Sequence, residues 1–299
     1  MGRPALDAGA REGEKYRVTA SASPVVPVEA PFAKPFVKWA GGKRQILDEI
    51  RRHMPKSYGR YHEPFVGGGA VFFGLHAPGR PAFLMDSNER LIRAYRGIQQ
   101  DVESVIRLLG EYRAEHSKSF FLQVRGRKDV DSGTAAEVAA WLIYLNRTGY
   151  NGLYRVNSRN VFNVPFGSYV RPNICDADNL RACSRALRAA ELEPGDFAAV
   201  LERARKGDFV YFDPPYVPLT ATSKFTDYTS DGFGEAEQLR LRDVALELKQ
   251  RGVFVLLSNS SAPLVQSLYR DFEKIRVRAR RSVNSDPAGR GEIQELLLR

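Results

Sequence analysis

Residues 61–86 read YHEPFVGGGAVFFGLHAPGRPAFLMD and have the element order of a nucleotide-binding α/β unit. The first five residues predict a strand, and residues 67–69 form a glycine turn that leads into a helix over residues 70–75. A second strand over residues 83–85 ends on Asp86. Strand, glycine-rich turn, helix, strand and acid are typical of one half of a doubly wound sheet. The sequence therefore predicts an α/β fold.

The glycine turn also indicates a class of ligand. Three glycines without Cβ atoms let a ligand come close to the backbone. Asp86 follows about 20 residues on, where an acid typically holds ribose hydroxyls. The turn is neither G-x-G-x-x-G nor a phosphate-binding loop with Gly-Lys-Ser/Thr, so a nucleoside without phosphates, such as S-adenosylmethionine, fits better than a dinucleotide. A turn required only for packing is the alternative.

A second motif, Asp213-Pro214-Pro215-Tyr216, directly follows the apolar run over residues 209–212, which is typical of a buried strand. We call these four residues the DPPY turn. The prolines fix their φ angles and donate no N–H, so the turn is stiff and its carbonyls are free to accept. Asp213 and the Pro214 carbonyl could accept both protons of an amino group while Tyr216 stacks on the ring that carries it. An ordinary polar turn is the alternative.

The DPPY turn suits methyl transfer to an exocyclic amino group. The lone pair of such a nitrogen is delocalised into the ring, so the group is a poor nucleophile. If Asp213 and Pro214 accept its protons, the nitrogen is biased toward a tetrahedral geometry that can attack a sulfonium methyl group in line. A base in a duplex must first be flipped out, and Tyr216 would then hold it by stacking.

Composition limits the class of protein. The 299 residues are 43% hydrophobic and 27% charged, which suggests one large domain or two modest ones. A net charge of +10 and a pI of about 9.6 favour a polyanionic partner such as nucleic acid. No apolar run approaches the roughly 18 residues of a membrane span. Cys175 and Cys183 predict reduced thiols in a cytosolic protein, and the four histidines form no metal-ligand pattern.

The remaining chain divides into three parts. Residues 1–31 have no apolar signal region and predict a disordered tail. Residues 89–178 predict an inserted helical module with a recognition loop over residues 146–169, which is rich in Asn, Gly, Tyr and Arg. Residues 179–299 return to strand and helix. The segments expected are helices over 46–50 (ended by Pro55), 91–100, 102–113, 135–145 and 235–250 (ended by Gly252), strands over 253–257 and 293–298, and a basic hairpin from 276 with its tip at 287–289.

Four stretches resemble the Dam-type DNA adenine-N6 methyltransferases, the α group of the D12 class. They are FVKWAGGK at 36–43, EPFVGGG at 63–69, LNRTGYNGLYRVN at 145–157 and YFDPPY at 211–216. Shorter matches are FNVPFG at 162–167, PLTAT at 218–222 and RRS at 280–282. The resemblance runs from about residue 32 to residue 298, with the recognition module between the glycine turn and the DPPY turn, as in the α group.

The resemblance implies a Rossmann-like methyltransferase core with a mixed, mostly parallel sheet and a C-terminal antiparallel hairpin. Residues 32–88 and 179–299 would form the catalytic domain that binds S-adenosylmethionine, and residues 89–178 the target-recognition domain. The partner would be double-stranded DNA, with no metal and no membrane. A monomer in the cytoplasm, associated with the nucleoid through DNA, is the default expectation.

The resemblance also assigns roles to residues around the cofactor. Trp39, Lys43 and Asp86 would bind S-adenosylmethionine, and Gly67 and Gly69 would shape its pocket. In the DPPY turn, Asp213 and Pro214 would face the amino group, Asp213 would also lie near the cofactor, and Tyr216 would stack on the flipped adenine.

Further roles concern DNA. Tyr150 would wedge into the duplex and Asn151 would face the orphaned thymine. Leu153, Arg155 and Pro165 would read flanking bases, since an arginine can grip a guanine edge bidentately. Lys38 and Asn157 are further candidate DNA contacts. The match of the recognition loop makes GATC, methylated at the adenine, the expected site.

Other interpretations stay open. A methyltransferase acting on RNA adenine or on a protein glutamine amide is one, although the amide-modifying relatives usually carry Asn at the position of Asp213. A non-catalytic DNA-binding relative is another. Tyr150 and Tyr154 could be packing aromatics, and Arg147 and Arg155 could be solvated charges or phosphate clamps. We expect the stripe over residues 139–145 to be core.

Overall fold

A computed structural model describes residues 1–2, 33–77, 79–218, 233–280 and 292–299. Three expectations fall outside these ranges. They are the disordered tail, the PLTAT match beyond its first residue, and the tip of the C-terminal hairpin with most of the RRS match.

Seven strands form one sheet in the order β3-β2-β1-β4-β5-β7-β6. Strands β1 to β5 run parallel, and β7 runs antiparallel to both β5 and β6. This confirms a mixed, mostly parallel sheet whose C-terminal hairpin supplies the antiparallel strand. The strands are β1 Tyr61–Glu63, β2 Ala82–Asp86, β3 Ala190–Pro194, β4 Phe209–Phe212, β5 Phe254–Ser260, β6 Lys274–Arg280 and β7 Glu292–Leu298.

The helices agree closely with the hydrophobic periodicity, with four additions. All predicted helices are present, and the one expected over residues 46–50 is preceded by a 3-10 turn. Four further helices, α5, α7, α8 and α10, were not predicted. The helices are α1 Leu47–His53, α2 Ala70–Leu75, α3 Glu89–Gln100, α4 Val102–Ala114, α5 Lys118–Arg125, α6 Ala135–Thr148, α7 Ala177–Leu187, α8 Val200–Arg203, α9 Glu235–Gln250 and α10 Pro263–Leu268.

Helix α6 is the central helix of the segment over residues 89–178. A capping box starts it, in which Thr134 accepts from the Glu137 N–H and the Glu137 side chain accepts from Thr134. Nearly every residue of α6 is buried, including Trp141, so the predicted core stripe is confirmed. The helix continues past the predicted end to Thr148, because its last turn remains buried against the recognition loop.

The hydrophobic core has two layers, one on each face of the sheet. Along β4 the side chains alternate, with Tyr211 in the layer formed with α3 to α7 and Phe212 in the layer formed with α9 and α10. The helical segment over residues 89–178 therefore packs into the same core as one face of the sheet. No helix in the described ranges is long and apolar enough to cross a membrane.

The ends of β1 and β5 differ from their predicted positions for physical reasons. β1 ends at Glu63 rather than at residue 65, because Pro64 has no N–H to continue the ladder. β5 extends to Ser260 rather than ending at residue 257, because its polar end is buried and pairs with β7. Hydrophobic pattern alone does not predict a buried polar end of a strand.

The strand order places three loops at one edge of the sheet. The chain moves outward from β1 to β3 on one side and from β4 to β5 on the other, so the direction reverses between β1 and β4. In open α/β sheets, ligands bind at this switch point, outside the carboxyl ends of the strands. At this edge the glycine turn follows β1, the DPPY turn follows β4, and Asp86 is the last residue of β2.

Candidate active site

Asp86 organises the glycine turn. Its Oδ2 accepts a hydrogen bond from the Gly67 N–H at 3.0 Å, and its Oδ1 accepts from the Asn88 N–H at 2.9 Å. Burial raises the pKa of the Asp86 carboxyl, and these two bonds counteract the rise. A carboxylate has about four lone-pair sites, so Asp86 retains capacity to accept from a ligand hydroxyl.

The glycines of the turn are required by conformation and by space. Gly67 and Gly69 have φ angles of +48° and +72°, which favour glycine. A Cβ atom on Gly67 would lie 2.9 Å from the Trp39 ring, and one on Gly69 would lie 2.5 Å from the Tyr95 hydroxyl. That hydroxyl donates to the Gly67 carbonyl at 3.0 Å. The turn is therefore fixed by Trp39 on one side and by Tyr95 on the other.

Trp39 joins the glycine turn to the recognition loop. Its indole ring lies against Gly67 on one side and stacks on Tyr154, with ring centroids 5.4 Å apart and planes at 28°. Tyr154 is thus a packing aromatic that contacts a predicted cofactor residue. The sequence left this alternative open for Tyr154.

Lys43, Asp213 and Tyr216 meet in one cluster. The Lys43 ammonium group lies 2.9 Å from Asp213 Oδ1, donates to the Gly41 carbonyl at 2.5 Å, and lies 4.5 Å from the centre of the Tyr216 ring. Lys43 is only 5% exposed. Burial raises the pKa of the Asp213 carboxyl to about 6, although the charge of Lys43 opposes the rise. Asp213 is therefore a carboxylate near neutral pH and close to its protonation range.

A buried amide network holds the DPPY turn. The Gln238 side chain donates to the Pro215 carbonyl at 3.0 Å and accepts from the Asn259 side chain at 3.0 Å. Asn259 in turn accepts from the Val217 N–H at 3.3 Å, and the Ser260 hydroxyl donates to the Val217 carbonyl at 2.6 Å. Helix α9 and strand β5 thus clamp the turn on both sides of Tyr216.

Two carboxyl groups of the site were not found from the sequence. Glu295 on β7 accepts a hydrogen bond from the Tyr216 hydroxyl at 2.9 Å. Glu63, at the end of β1, accepts from the Tyr61 hydroxyl at 2.8 Å. Burial, followed by the charge of Asp213, raises the pKa of Glu63 well above its ordinary value.

The predicted DNA-contacting residues lie on one exposed loop, except for Lys38. Tyr150 is 54% exposed and Leu153 40% exposed. Asn151 has a φ angle of +53°, which asparagine tolerates better than most residues. Asn151, Arg155, Asn157 and Pro165 are also exposed, whereas Phe162 and Val164 between them are buried against the helices.

Asn146, which is fully buried at the end of α6, ties Lys38 to the recognition loop. It accepts from the Lys38 N–H at 2.8 Å and donates to the Lys38 carbonyl at 2.8 Å and the Gly152 carbonyl at 2.7 Å. The exposed Lys38 ammonium group lies 5.1 Å from the centre of the Tyr169 ring. Lys38 is therefore held beside the loop.

Three other polar residues of the loop have structural partners. The Arg155 Nε donates to Asn163 Oδ1 at 2.7 Å, which orients an otherwise exposed guanidinium group. The Asn157 side chain accepts from the Arg159 and Val161 N–H groups and so shapes a turn. Arg147 is not a fully solvated charge, because its partly buried guanidinium group donates to the Phe36 carbonyl at 2.8 Å.

A mixed sheet of this order, with polar residues converging at its switch point, defines a Rossmann-like methyltransferase. Residues 39–283 match the family of D12 class N6 adenine-specific DNA methyltransferases, and the chain belongs to that family of enzymes. The resemblance found in the motifs is thereby confirmed.

Curated relatives cover nearly the whole chain. The Type II methyltransferase M1.LlaDCHI of Lactococcus lactis subsp. cremoris is 44% identical over 272 residues, which are 89% of this chain and 94% of that protein. The Type II methyltransferase M.MjaIII of Methanocaldococcus jannaschii is 40% identical over 283 residues, with coverages of 89% and 98%. A DNA adenine methylase of Vibrio cholerae is 34% identical over 272 residues, with coverages of 88% and 94%.

Proposed function

We propose that this enzyme transfers a methyl group from S-adenosylmethionine to N6 of an adenine flipped out of duplex DNA. The observation that carries the proposal is the cluster of Asp213 and Tyr216 at the switch point of the sheet. The carboxylate and the aromatic ring are held by separate contacts, so both are oriented before a base arrives. The glycine turn that a nucleoside cofactor requires lies at the same edge.

The residues around the glycine turn fit S-adenosylmethionine. Gly67 and Gly69 let Trp39 and Tyr95 pack directly against the backbone of the turn, and Asp86 retains lone pairs for ribose hydroxyls. Trp39 offers an aromatic surface beside the turn, and Lys43 a buried positive charge that suits a carboxylate. When bound, the cofactor supplies an electrophilic methyl group on a sulfonium.

The DPPY turn supplies the chemistry on the side of the base. Asp213 and the Pro214 carbonyl accept the two amino protons, and Tyr216 stacks on the adenine ring. Methylation of N6 would leave positive charge on that nitrogen, next to the Asp213 carboxylate. The Asp213 carboxylate stabilises that charge, and its pKa of about 6 suits it to accept the proton that N6 then loses.

The recognition loop supplies the DNA contacts. Tyr150 enters the duplex, Asn151 faces the unpaired thymine, and Leu153, Arg155 and Pro165 read the flanking bases. Their shared exposure on one loop supports this role. Asn157 adds a contact within the loop, and Lys38 adds one beside it. We propose GATC as the site, and residues 89–178 as the target-recognition domain.

The class of substrate can be tested with labelled cofactor offered to DNA, RNA and protein side by side. Label is expected only in DNA, on N6 of adenine. Asp213→Ala abolishes transfer while DNA affinity stays within a few-fold, because the carboxylate acts on the amino group and not on the backbone. Label confined to RNA or protein would refute the proposal.

The sequence specificity can be tested separately. Plasmid from cells that express the protein is expected to resist a GATC endonuclease that is blocked by adenine methylation. Arg155→Ala costs about 1–3 kcal/mol of discrimination at the base it contacts. Arg159→Ala, an exposed arginine of the same loop, is the matched control, and we expect it to leave discrimination intact. If the endonuclease cleaves fully at GATC while other adenine sites are protected, GATC is not the recognition sequence, but the proposed reaction stands.

A further inference from the structure

Besides the Lys43 ammonium group over its ring, Tyr216 is held by hydrogen bonds at three points, and the third is on a strand far away in the sequence. Its two neighbours are fixed through their backbones, by Gln238 at the Pro215 carbonyl and by Ser260 at the Val217 carbonyl. The tip of its ring is fixed by Glu295, whose Oε2 accepts from the hydroxyl at 2.9 Å. Backbone contacts alone place the start of the side chain, whereas the hydroxyl bond sets the tilt of the ring.

The position of Glu295 is itself rigid. In the antiparallel ladders of β7 it pairs with Ser260 of β5 on one side and with Val277 of β6 on the other. Side chains alternate along β7, with Leu297 packing in the core layer that contains Tyr211. Glu295 is two residues from Leu297 and faces the same layer, on the side of the sheet from which the Tyr211 and Asp213 side chains project.

We propose that Glu295 is a positioning residue for methyl transfer, which holds the Tyr216 ring in the plane that stacks on the target base. The proposal rests on the proposed function, because it needs a planar substrate on Tyr216. Without Glu295 as partner of its hydroxyl group, the Tyr216 ring can tilt away from the plane of the base. The amino group of the base would then approach Asp213 off line, and misplacement of reacting groups is costly in rate.

Glu295 also acts on Asp213 through its charge. The charged groups that face Asp213 are Lys43 from the segment before α1, Glu295 from β7 and Glu63 from β1. The negative charge of Glu295 raises the pKa of the Asp213 carboxyl, in the direction opposite to Lys43. A purely structural strand residue would have no such effect, so the pH profile separates the two roles.

The test is a double-mutant cycle between Tyr216→Phe and Glu295→Ala, measured as kcat/KM for DNA methylation. Each single variant is expected to lose about tenfold, the effect of one hydrogen bond to a charged group. The double variant loses no more than about twofold beyond either single variant, because both remove the same bond. Glu295→Gln keeps an acceptor and stays within about threefold of wild type, and the acid limb of its pH profile moves to lower pH.

Asp271→Asn is the matched control, since it removes one exposed negative charge outside the site from a protein that binds a polyanion. It is expected to leave kcat/KM and the pH profile unchanged. Thermal unfolding checks each variant, and if Glu295→Ala is unstable, Glu295→Leu, which fills a similar volume without an acceptor, completes the cycle with Tyr216→Phe. If the wild type is active but the single variants are unchanged, Glu295 has no positioning role. The same follows if the losses of the two single variants multiply in the double variant. Either result would leave the proposed function standing. A wild type that methylates no DNA would overturn the proposed function.

Discussion

Lys43 and Asp213 form a buried ion pair with an N–O distance of 2.9 Å, yet the pKa of the Asp213 carboxyl is raised to about 6. Burial outweighs the attraction of the lysine, so the Asp213 carboxyl titrates closer to neutral pH than an ordinary aspartate. That balance leads to two predictions, one for activity and one for stability.

Activity should follow the ionisation of Asp213. The carboxylate accepts the amino protons, so kcat/KM for DNA is expected to fall as pH drops through about 6 and to level off above it. Lys43→Met removes the charge that lowers this pKa, so the acid limb should move to higher pH. Steady-state kinetics from pH 5 to pH 8 would measure the acid limb of the wild type and that of Lys43→Met. An unchanged limb in Lys43→Met would mean that another group controls the profile.

The stability of the fold should also depend on the ionisation of Asp213, but it should fall with rising pH where activity rises. Because the pKa of Asp213 is higher in the folded chain than the ordinary value of 3.8, the folded state binds its proton more tightly, and stability falls as pH rises from 4 to 6. Asp213→Asn carries no charge and should be more stable than wild type above pH 6, by at most about 3 kcal/mol. The difference should vanish at pH 4. Urea unfolding at both pH values measures it, and equal differences would contradict it.

The glycine turn and helix α4 predict opposite outcomes for two glycine substitutions. Gly69→Ala places a Cβ atom 2.5 Å from the Tyr95 hydroxyl at a φ angle of +72°, so we expect a loss of about 2 kcal/mol or more and much weaker cofactor binding. Gly110 lies within α4, and a Cβ atom there would meet no other atom within 4 Å, so Gly110→Ala should stabilise by about 0.5–1 kcal/mol. Calorimetric titration with S-adenosylmethionine and unfolding curves would test both. Normal cofactor affinity in Gly69→Ala would contradict the proposed pocket.

Asn146 should matter for both stability and discrimination. Asn146→Ala removes the partner of the buried Gly152 carbonyl and of two partly buried backbone groups of Lys38, at a cost of about 3 kcal/mol. Asn146→Asp should be worse, because a carboxylate oxygen would face two carbonyl oxygens. The exposed Asn173→Ala is the control and should stay within about 0.5 kcal/mol of wild type. A stable Asn146→Asp variant with normal discrimination would contradict this role.

Asn163 should act through Arg155. Its side-chain oxygen accepts from Arg155 Nε at 2.7 Å, so Asn163→Ala leaves the arginine in place but less well oriented. We expect a loss of discrimination smaller than that of Arg155→Ala, about 0.5–1.5 kcal/mol, at the same base. Ratios of kcat/KM on sites with single base changes would measure it. If Asn163→Ala instead loses discrimination at a different base, Asn163 does not act through Arg155.

The sequence predicted the elements whose hydrophobic pattern is local. The bounds of strand β4 and helix α9 agree with the predicted ones to the residue. Each has a local hydrophobic pattern and a residue that ends it. Strand β3 was missed, because its sequence AELEP has two glutamates and only one large apolar residue. It lies at the sheet edge, where Glu191 and Glu193 form ion pairs with Arg203 rather than packing in the core. Ion pairs across the fold leave no periodic pattern in sequence.

The same distinction applies to the candidate site. The glycine turn, Asp86 and Asp213 were found because each stands in a compact motif at the end of a strand. Gln238, Asn259 and Glu295 were not, because each is an ordinary residue until helix α9 and strands β5 and β7 assemble around the DPPY turn. Their partners are distant in sequence, so no local pattern indicates them.

The place of β7 in the sheet has a consequence for biosynthesis. A chain that leaves the ribosome from its N-terminus offers β5 and β6 first, yet these two strands do not pair with each other, because β7 lies between them. Until residues 292–298 emerge, β5 presents an open edge to other nascent chains, which is a template for aggregation. Strand β7, which closes this edge, also brings Glu295 to Tyr216. The sheet and the contacts of the DPPY turn are therefore completed in a single late step.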